Sequence, residues 1–391
     1  MEPGRIFQPR RIGVITTSRA DYGIYRPLLR AWRAADGEVE LFAGGTHSLA
    51  RFGRTVDEIV GDDWGPVHAI DHGGQGDRDL DIARSCGQAV QAFAVELDKH
   101  RPDLLFVLGD RYEMLAAGLA AAIMKLPIAH LHGGDATEGV IDESFRHALT
   151  KLSHVHFPAV EQHAARIRNL GEEAWRIHAV GALALDELAR FEPEALETIA
   201  REIGLPLGAT TVVLSYHPET LGPAPAGEAF DAVAAGLAEY EGNLLIVGVN
   251  ADAGHLDIAA RMAALAARRP RTVLAASLTQ QRYWSWLHHA AALVGNSSSG
   301  LIEAPSLKLP VVNVGDRQRG RMRAANVIDV PADAAAVKTA LARAMSTEFR
   351  QGLAGLANPY GDGRAAARIL GVLASLPARD VLIRKRAVAA E

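Results

Sequence analysis

The sequence predicts an α/β protein of two doubly wound halves, each a parallel sheet covered by helices on both faces. Three observations carry that reading. Short apolar runs alternate with Ala- and Leu-rich helical stretches along most of the chain. Several of these runs end in glycine or a small polar residue, with charged groups immediately after. The alternation closes near residue 180 and restarts at residue 211, although the two halves show no repeated sequence. A chain of 391 residues exceeds what one core readily fills, and 49% hydrophobic residues suffice for two cores. The expected division is residues 1–182, then 183–378, with a weakly ordered tail at 379–391.

In the first half, strands are expected at 11–17 (RIGVITT), 39–43, 104–108, 127–131 and, last, 176–180 (RIHAV). The turn after the first run, SRADYG, carries one glycine, so it is not a three-glycine dinucleotide fingerprint. It places Arg19 and Asp21 at a strand's carboxyl end. His47, on the loop after the second strand, is a weaker candidate and is expected to be exposed. The stretch from Gly109 to Phe157 organises this half. Asp110 and Arg111 emerge where the 104–108 run ends, and His130 and His132 are delivered into a Gly-Gly turn. Asp142 and Glu143 then open a helix that carries Arg146, His147 and Lys151 at roughly one-turn spacing. Each Asp by itself reads equally well as a helix cap. So many ionisable groups at element ends favour a site, since open α/β sheets bind ligands beyond the carboxyl ends of their strands.

The second half is expected to have strands at 211–216, 243–249, 271–275, 292–295 and 311–314. His217 leaves the first of these strands, and Asn250 and Asp252 the second. After ALVG come Asn296, Ser297, Ser298, Ser299 and Gly300, which open a helix, with Glu303 one turn in. Hydroxyls and backbone donors at a helix start suit a diphosphate, and Glu303 is placed to accept a ribose diol. Alone, the serines would be an ordinary cap; Arg317, Arg319 and Arg321 in the GDRQRGR loop tilt the reading toward anion binding.

A net charge of −5 leaves no basic footprint for nucleic acid. The single cysteine, Cys86, excludes an intramolecular disulfide and a cysteine-built metal site. No run is long and uncharged enough to span a bilayer, and no hydrophobic leader opens the chain, so a cytoplasmic protein is expected. Neither NAD nor a metal is expected. The glycine fingerprint is absent, and the histidines lack the i, i+4 pairing of a helical metal site.

Several long motifs go beyond this general picture: TTSRADYG, GDRYEMLAA, AHLHGGDATEGVIDESFRHALTKLSHVHF, SYHPET, GNSSSGLIEAPSLKLPVVNVGDRQRGR and NPYGDGRAA. Together they closely resemble the hydrolysing UDP-N-acetylglucosamine 2-epimerases of sialic and legionaminic acid biosynthesis, over roughly residues 11–370. The resemblance implies the GT-B fold, two facing Rossmann-like domains with a central cleft. It also implies a homodimer or homotetramer. The implied reaction takes UDP-N-acetylglucosamine, or a close relative, and water to UDP and N-acetylmannosamine. By motif, Arg19, Arg111, Asn250, Ser297, Ser298, Glu303 and Arg317 correspond to nucleotide-sugar contacts, and Asp110, Asp142 and His217 to reacting or charge-stabilising groups. One departure stands out: His132 occupies a position where the related mammalian enzyme carries glutamate.

The residue types fit an elimination. The C2 hydrogen of an acetamido sugar is too weakly acidic for direct removal by a carboxylate. Cleavage of the C1–oxygen bond must therefore lead, with the departing UDP stabilised by fixed positive groups. A carboxylate beside the ring takes the proton, and water adds to the resulting glycal. Asp110 and Asp142, assisted by Glu143 or His132, are assigned to proton transfer, and His217 to the leaving group. Other readings are the same reaction on a UDP- or GDP-linked 2,4-diacetamido (bacillosamine-type) sugar, a non-hydrolysing epimerase, a GT-B glycosyltransferase, and a non-catalytic nucleotide-sugar sensor.

Overall fold

The protein, a computed structural model, is described for residues 7–48, 55–73, 76, 78–222, 225–249 and 252–389. It forms two units, each around one six-stranded parallel sheet. The first sheet contains β1 (Arg11–Thr16), β2 (Glu38–Ala43), β3 (Val67–Ala69), β4 (Leu104–Leu108), β5 (Ile128–Leu131) and β6 (Val155–Phe157), in the order 3-2-1-4-5-6. The second contains β7 (Thr211–Ser215), β8 (Asn243–Val247), β9 (Thr272–Ala275), β10 (Ala292–Gly295), β11 (Val311–Val314) and β12 (Val327–Val330). Its order, 12-11-10-7-8-9, is the same winding repeated. β1, β4, β5, β7, β10 and β11 are buried almost throughout because helices cover both faces, which is why they read as unbroken apolar runs.

This winding locates the candidate sites. Strand order reverses between β1 and β4 and again between β7 and β10, and ligands of doubly wound sheets bind beyond the carboxyl ends at such reversals. At the second reversal the strands approach so closely that a Cβ on Gly295, whose φ is +131°, would lie 1.9 Å from the Ser215 carbonyl oxygen. Only glycine fits there.

Four elements depart from expectation. Residues 176–180 make one isolated bridge, His156 to Ile177, and the last strand of the first sheet is β6. β3 and β12 are short edge strands whose residues are largely half-exposed, so they lack a strong apolar signal. The unit boundaries also differ from the expected division. The first unit comprises 1–135, 142–189 and 360–391; the second comprises 136–141 and 190–359. The chain returns to the first unit because the Asp186 carboxylate accepts bonds from the Ala365 and Ala366 amides, both at 2.8 Å, capping the Ala365–Leu373 helix.

The tail is docked, not loose. Leu382 is fully buried, and the buried Arg176 guanidinium donates to the carbonyls of Leu382 (2.7 Å) and Arg384 (2.9 Å). Lys385 reaches Glu172 at 2.8 Å, and the Val388 amide donates to the Gly171 carbonyl. Burial pushes the Lys385 ammonium down to about 8 despite Glu172. Deleting residues 379–391 should lower Tm by roughly 5–10 °C, since it removes the buried Leu382 from the core and takes two carbonyl acceptors from the buried Arg176, which keeps Glu173 and the His154 carbonyl. Differential scanning calorimetry checks this; an unchanged Tm would mean the docking contributes nothing.

Candidate active site

In the first unit the carboxyl end of β4 turns at Gly109, whose φ of +70° suits glycine, and delivers Asp110. The Asp142–Leu152 helix brings Arg146, which is 1% exposed and bonds to Asp110, to Glu143 and, at 2.9 Å, to the Asp135 carbonyl. Two carboxylates, each about a fifth to a quarter exposed, thus share one buried guanidinium. Flanked by these oxygens, Arg146 stays charged, its proton affinity raised despite burial. A group of this kind, with carboxylate oxygens partly open to solvent on a fixed guanidinium, is chemically able to accept a proton and to steady a nearby cation.

The neighbouring groups sort into several roles. Arg111 forms a paired contact with Glu113, both bonds at 3.2 Å. His147 lies 3.2 Å from Glu143. Asp142 is part-buried at the helix start. His132 has a φ of +60°, a backbone conformation uncommon for a residue with a Cβ, and its amide donates to the Phe157 carbonyl at 3.0 Å. His130 is different. It is fully buried, and its Nε2 donates to the Gly109 carbonyl at 2.7 Å, so it supports the turn that presents Asp110 and has no exposed surface for a ligand. Burial pushes its pKa down to about 3.

Three first-half expectations are corrected. His47 is buried, not exposed, with both ring nitrogens spent on the Thr16 and Thr55 hydroxyls at 2.8 and 2.7 Å. Asp21 closes a capping box with Ser18 and accepts the Thr17 amide, so its carboxylate is consumed by the turn. Lys151 belongs to the Glu172 cluster, at 2.7 Å. Arg19 contacts Glu58 at 3.1 Å.

In the second unit the Asn296 side chain clamps the switch-point strands. Its Oδ1 accepts the His217 amide at 2.7 Å and its Nδ2 donates to the His217 carbonyl at 2.9 Å. Gln318 and Arg317 donate to the Asn296 carbonyl at 2.7 and 3.3 Å, and Arg317 lies 3.7 Å from Asp252. Ser299 Oγ is within bonding distance of Ser297 (2.9 Å) and Tyr283 (2.6 Å). Glu303 follows one turn later. Burial raises its carboxyl to about 7, and its Oε2 is buried with no partner among the described residues. A buried acceptor without a donor is costly, and a ligand hydroxyl would satisfy it.

Here too expectations shift. The helix after Ser298 is a single turn, Ser299–Ile302, so any anion would be met mainly by local amides and hydroxyls, with little field from a macrodipole. Of the loop arginines, Arg317 stands beside the serine turn. Arg319 is 65% exposed against Glu138, and Arg321 bonds the Ala136 carbonyl. Asn250 lies outside the described residues. A separate cavity of about 500 Å³ in this unit is lined by Glu219, Asp316, Arg323 and Asp329, among others. Three carboxylates against one arginine make it a poor seat for a diphosphate.

The sequence family described as UDP-N-acetylglucosamine 2-epimerase matches residues 30–374. The chain belongs to this family. It is 32% identical over 378 residues to a "UDP-N,N'-diacetylbacillosamine 2-epimerase (hydrolyzing)" of Legionella pneumophila, covering 96% of this chain and 98% of that one. It is 30% identical over 354 residues to the "Polysialic acid biosynthesis protein P7" of Escherichia coli, covering 90% of each. Its fold matches the UDP-GlcNAc 2-epimerase of Neisseria meningitidis, solved with UDP-GlcNAc bound. The TM-score is 0.79 at 16% identity, with 93% of this chain and 99% of that one covered. The two Rossmann-like units thus have a GT-B-like fold. No described helix is long and apolar enough to cross a membrane.

The sequence assigns no site role to Asn296, Gln318 or Tyr283. Arg146 is one of the ionisable groups expected at the site, but its bridging of two carboxylates is not; the spacing Glu143 to Arg146, i to i+3, is the signal for half of that bridge. Nothing local in the sequence pointed to the Asn296 clamp, because its partner lies 79 residues away.

The histidines give the epimerase an acid-side liability. Burial holds His130 and His154 down to about 3 and His156 to about 4, against an ordinary value near 6.5. The unfolded chain therefore binds more protons below about pH 6.5, and stability falls as pH drops from there toward 3. Tm measured at intervals from pH 7 to pH 4 should decline steadily, and His154→Gln should flatten the decline. A pH-independent Tm would contradict the burial.

Proposed function

We propose that the chain is a hydrolysing 2-epimerase that takes a UDP-linked 2-acetamido sugar and water to UDP and the free C2 epimer. The observation that carries this reading is the pair of carboxylates, Asp110 and Glu143, held on one buried guanidinium at the switch point of a 2-epimerase-family chain. Asp110 takes the C2 proton as the C1–oxygen bond to UDP breaks, with Asp142, Glu143 or His132 assisting. The electron pair of the C2–H bond becomes the glycal double bond, and the C1–oxygen pair leaves with the diphosphate. Water then adds its hydroxyl to C1 and a proton to the opposite face of C2. Arg19, Arg111, Arg317, Ser297, Ser298 and Ser299 bind the nucleotide sugar. Glu303 accepts the ribose hydroxyls through the oxygen that otherwise lacks a donor. His217 stabilises the leaving group.

For the sugar, UDP-N-acetylglucosamine is the first reading. A 2,4-diacetamido sugar is the second, favoured by the likeness to the Legionella enzyme. The test is incubation with UDP-N-acetylglucosamine and with its UDP-linked 2,4-diacetamido counterpart in deuterated water, with products identified by NMR. The expected result is a free sugar of inverted C2 configuration carrying deuterium at C2. Release of UDP-N-acetylmannosamine would remove the hydrolytic half. A free epimer without deuterium would remove the elimination, and UDP binding without turnover of either sugar would remove catalysis.

A further inference from the structure

A second cluster of ligating side chains lies away from the chemistry just described. Glu40 on β2, His68 on the edge strand β3 and His100, the last residue of the Asp79–His100 helix, each offer one ligating atom, and these atoms all lie within 4.8 Å of one another. His68 Nε2 is 2.6 Å from a Glu40 oxygen, and the two imidazoles stack with centroids 3.6 Å apart. The side chains are 11, 12 and 32% exposed, so two are nearly dry while the third opens to solvent.

The surrounding charges are mixed. Arg11 lies 3.8 Å from the other Glu40 oxygen, and Glu96 lies 3.6 Å from His100 Nε2 while pairing with Lys99.

We propose that Glu40, His68 and His100 form a binding site for a divalent transition-metal ion of the zinc class. Two imidazoles and one carboxylate suit zinc or cobalt, whereas magnesium and calcium prefer all-oxygen sets. Ligand atoms around a tetrahedral zinc lie about 3.3 Å apart, given bonds of about 2.0–2.2 Å, and the two rings, stacked within 20° of parallel, must turn apart so that their in-plane lone pairs converge on one ion. The half-exposed side of His100 leaves the fourth position to water. The site ties the edge strand β3 and the end of a long helix to β2. It lies on the side of the sheet where strands begin, because β4 starts four residues after His100, whereas Asp110 stands at a strand's carboxyl end. The role assigned to the metal is therefore a staple of the first unit, separate from the epimerase chemistry.

The test uses the full chain without a histidine tag, stripped with a chelator and titrated with cobalt(II) chloride, reading the visible d–d absorption. One saturable cobalt ion per chain is expected, displaced by zinc, with zinc raising Tm in proportion to occupancy. His68→Ala and Glu40→Gln should each weaken cobalt binding by at least about tenfold. His100→Gln, at a partly exposed helix end, should do the same while leaving far-UV circular dichroism and UDP binding unchanged, which separates lost ligation from lost folding. Absence of saturable binding below millimolar cobalt would overturn the proposal. So would wild-type affinity in His68→Ala and His100→Gln, which would place the metal elsewhere.

Discussion

Replacing Arg146 with methionine is expected to destabilise the first unit by about 3 kcal/mol and to abolish turnover. Removing one partner of a buried ion pair generally costs about 3–5 kcal/mol, because the remaining charge is left uncompensated. The lower end applies here, since Asp110 and Glu143 keep about a fifth to a quarter of their surface and can recover some hydration. The Asp135 carbonyl also loses its donor. Arg146→Lys should recover less than half of the loss, because one ammonium on a flexible stem cannot match a planar fork reaching three acceptors at once. Urea unfolding read by circular dichroism checks the stability, and UDP release checks the activity. A methionine variant equal to the wild type in both would show that the guanidinium does not organise the carboxylates.

Asp110→Asn is the second large effect. The amide keeps the shape and a bond to Arg146 but cannot accept a proton, so kcat should fall by about 10²–10⁴-fold. Arg146 still pairs with Glu143, so Tm should change little. UDP affinity, measured by calorimetry, should stay within about twofold, because the proposed nucleotide contacts are other residues. A loss in UDP affinity as large as the loss in kcat would move Asp110 from proton transfer to binding. Full turnover would remove it from the chemistry.

How far the chain could be read in advance follows from which signals are local. The buried strands β1, β4, β5, β7, β10 and β11 are continuous apolar runs bounded by turn residues, and such runs identify themselves. β3 and β12 do not, because their residues are largely half-exposed, and β6, though buried, is only three residues long. The 176–180 run shows the opposite error. Its Ile and Val are buried, but Arg176 reaches into the carbonyls of the docked tail, so apolar content there reflects packing and not strand pairing.

The candidate groups followed the same division. Asp110, Glu143 and the serines after β10 could be nominated because they sit at the ends of legible elements, and winding places such ends where doubly wound sheets bind ligands. What each side chain does could not be found that way. Asp21, His47 and His130 are ionisable residues at strand ends or the loops after them, as much as Asp110 is. Yet one caps its own helix, one is locked between two threonines and one is buried beneath Gly109.

Periodicity and turn chemistry, which act over a few neighbouring residues, were enough to specify two parallel α/β sheets and to mark where their functional ends lie. The winding order, the return of the last thirty-two residues to the first unit, the reach of Arg146 from its near neighbour Glu143 to Asp110, and the meeting of Glu40, His68 and His100 depend on groups tens to hundreds of residues apart. Burial and long-range hydrogen bonding set those pairings, and neither is written in any local stretch of the chain.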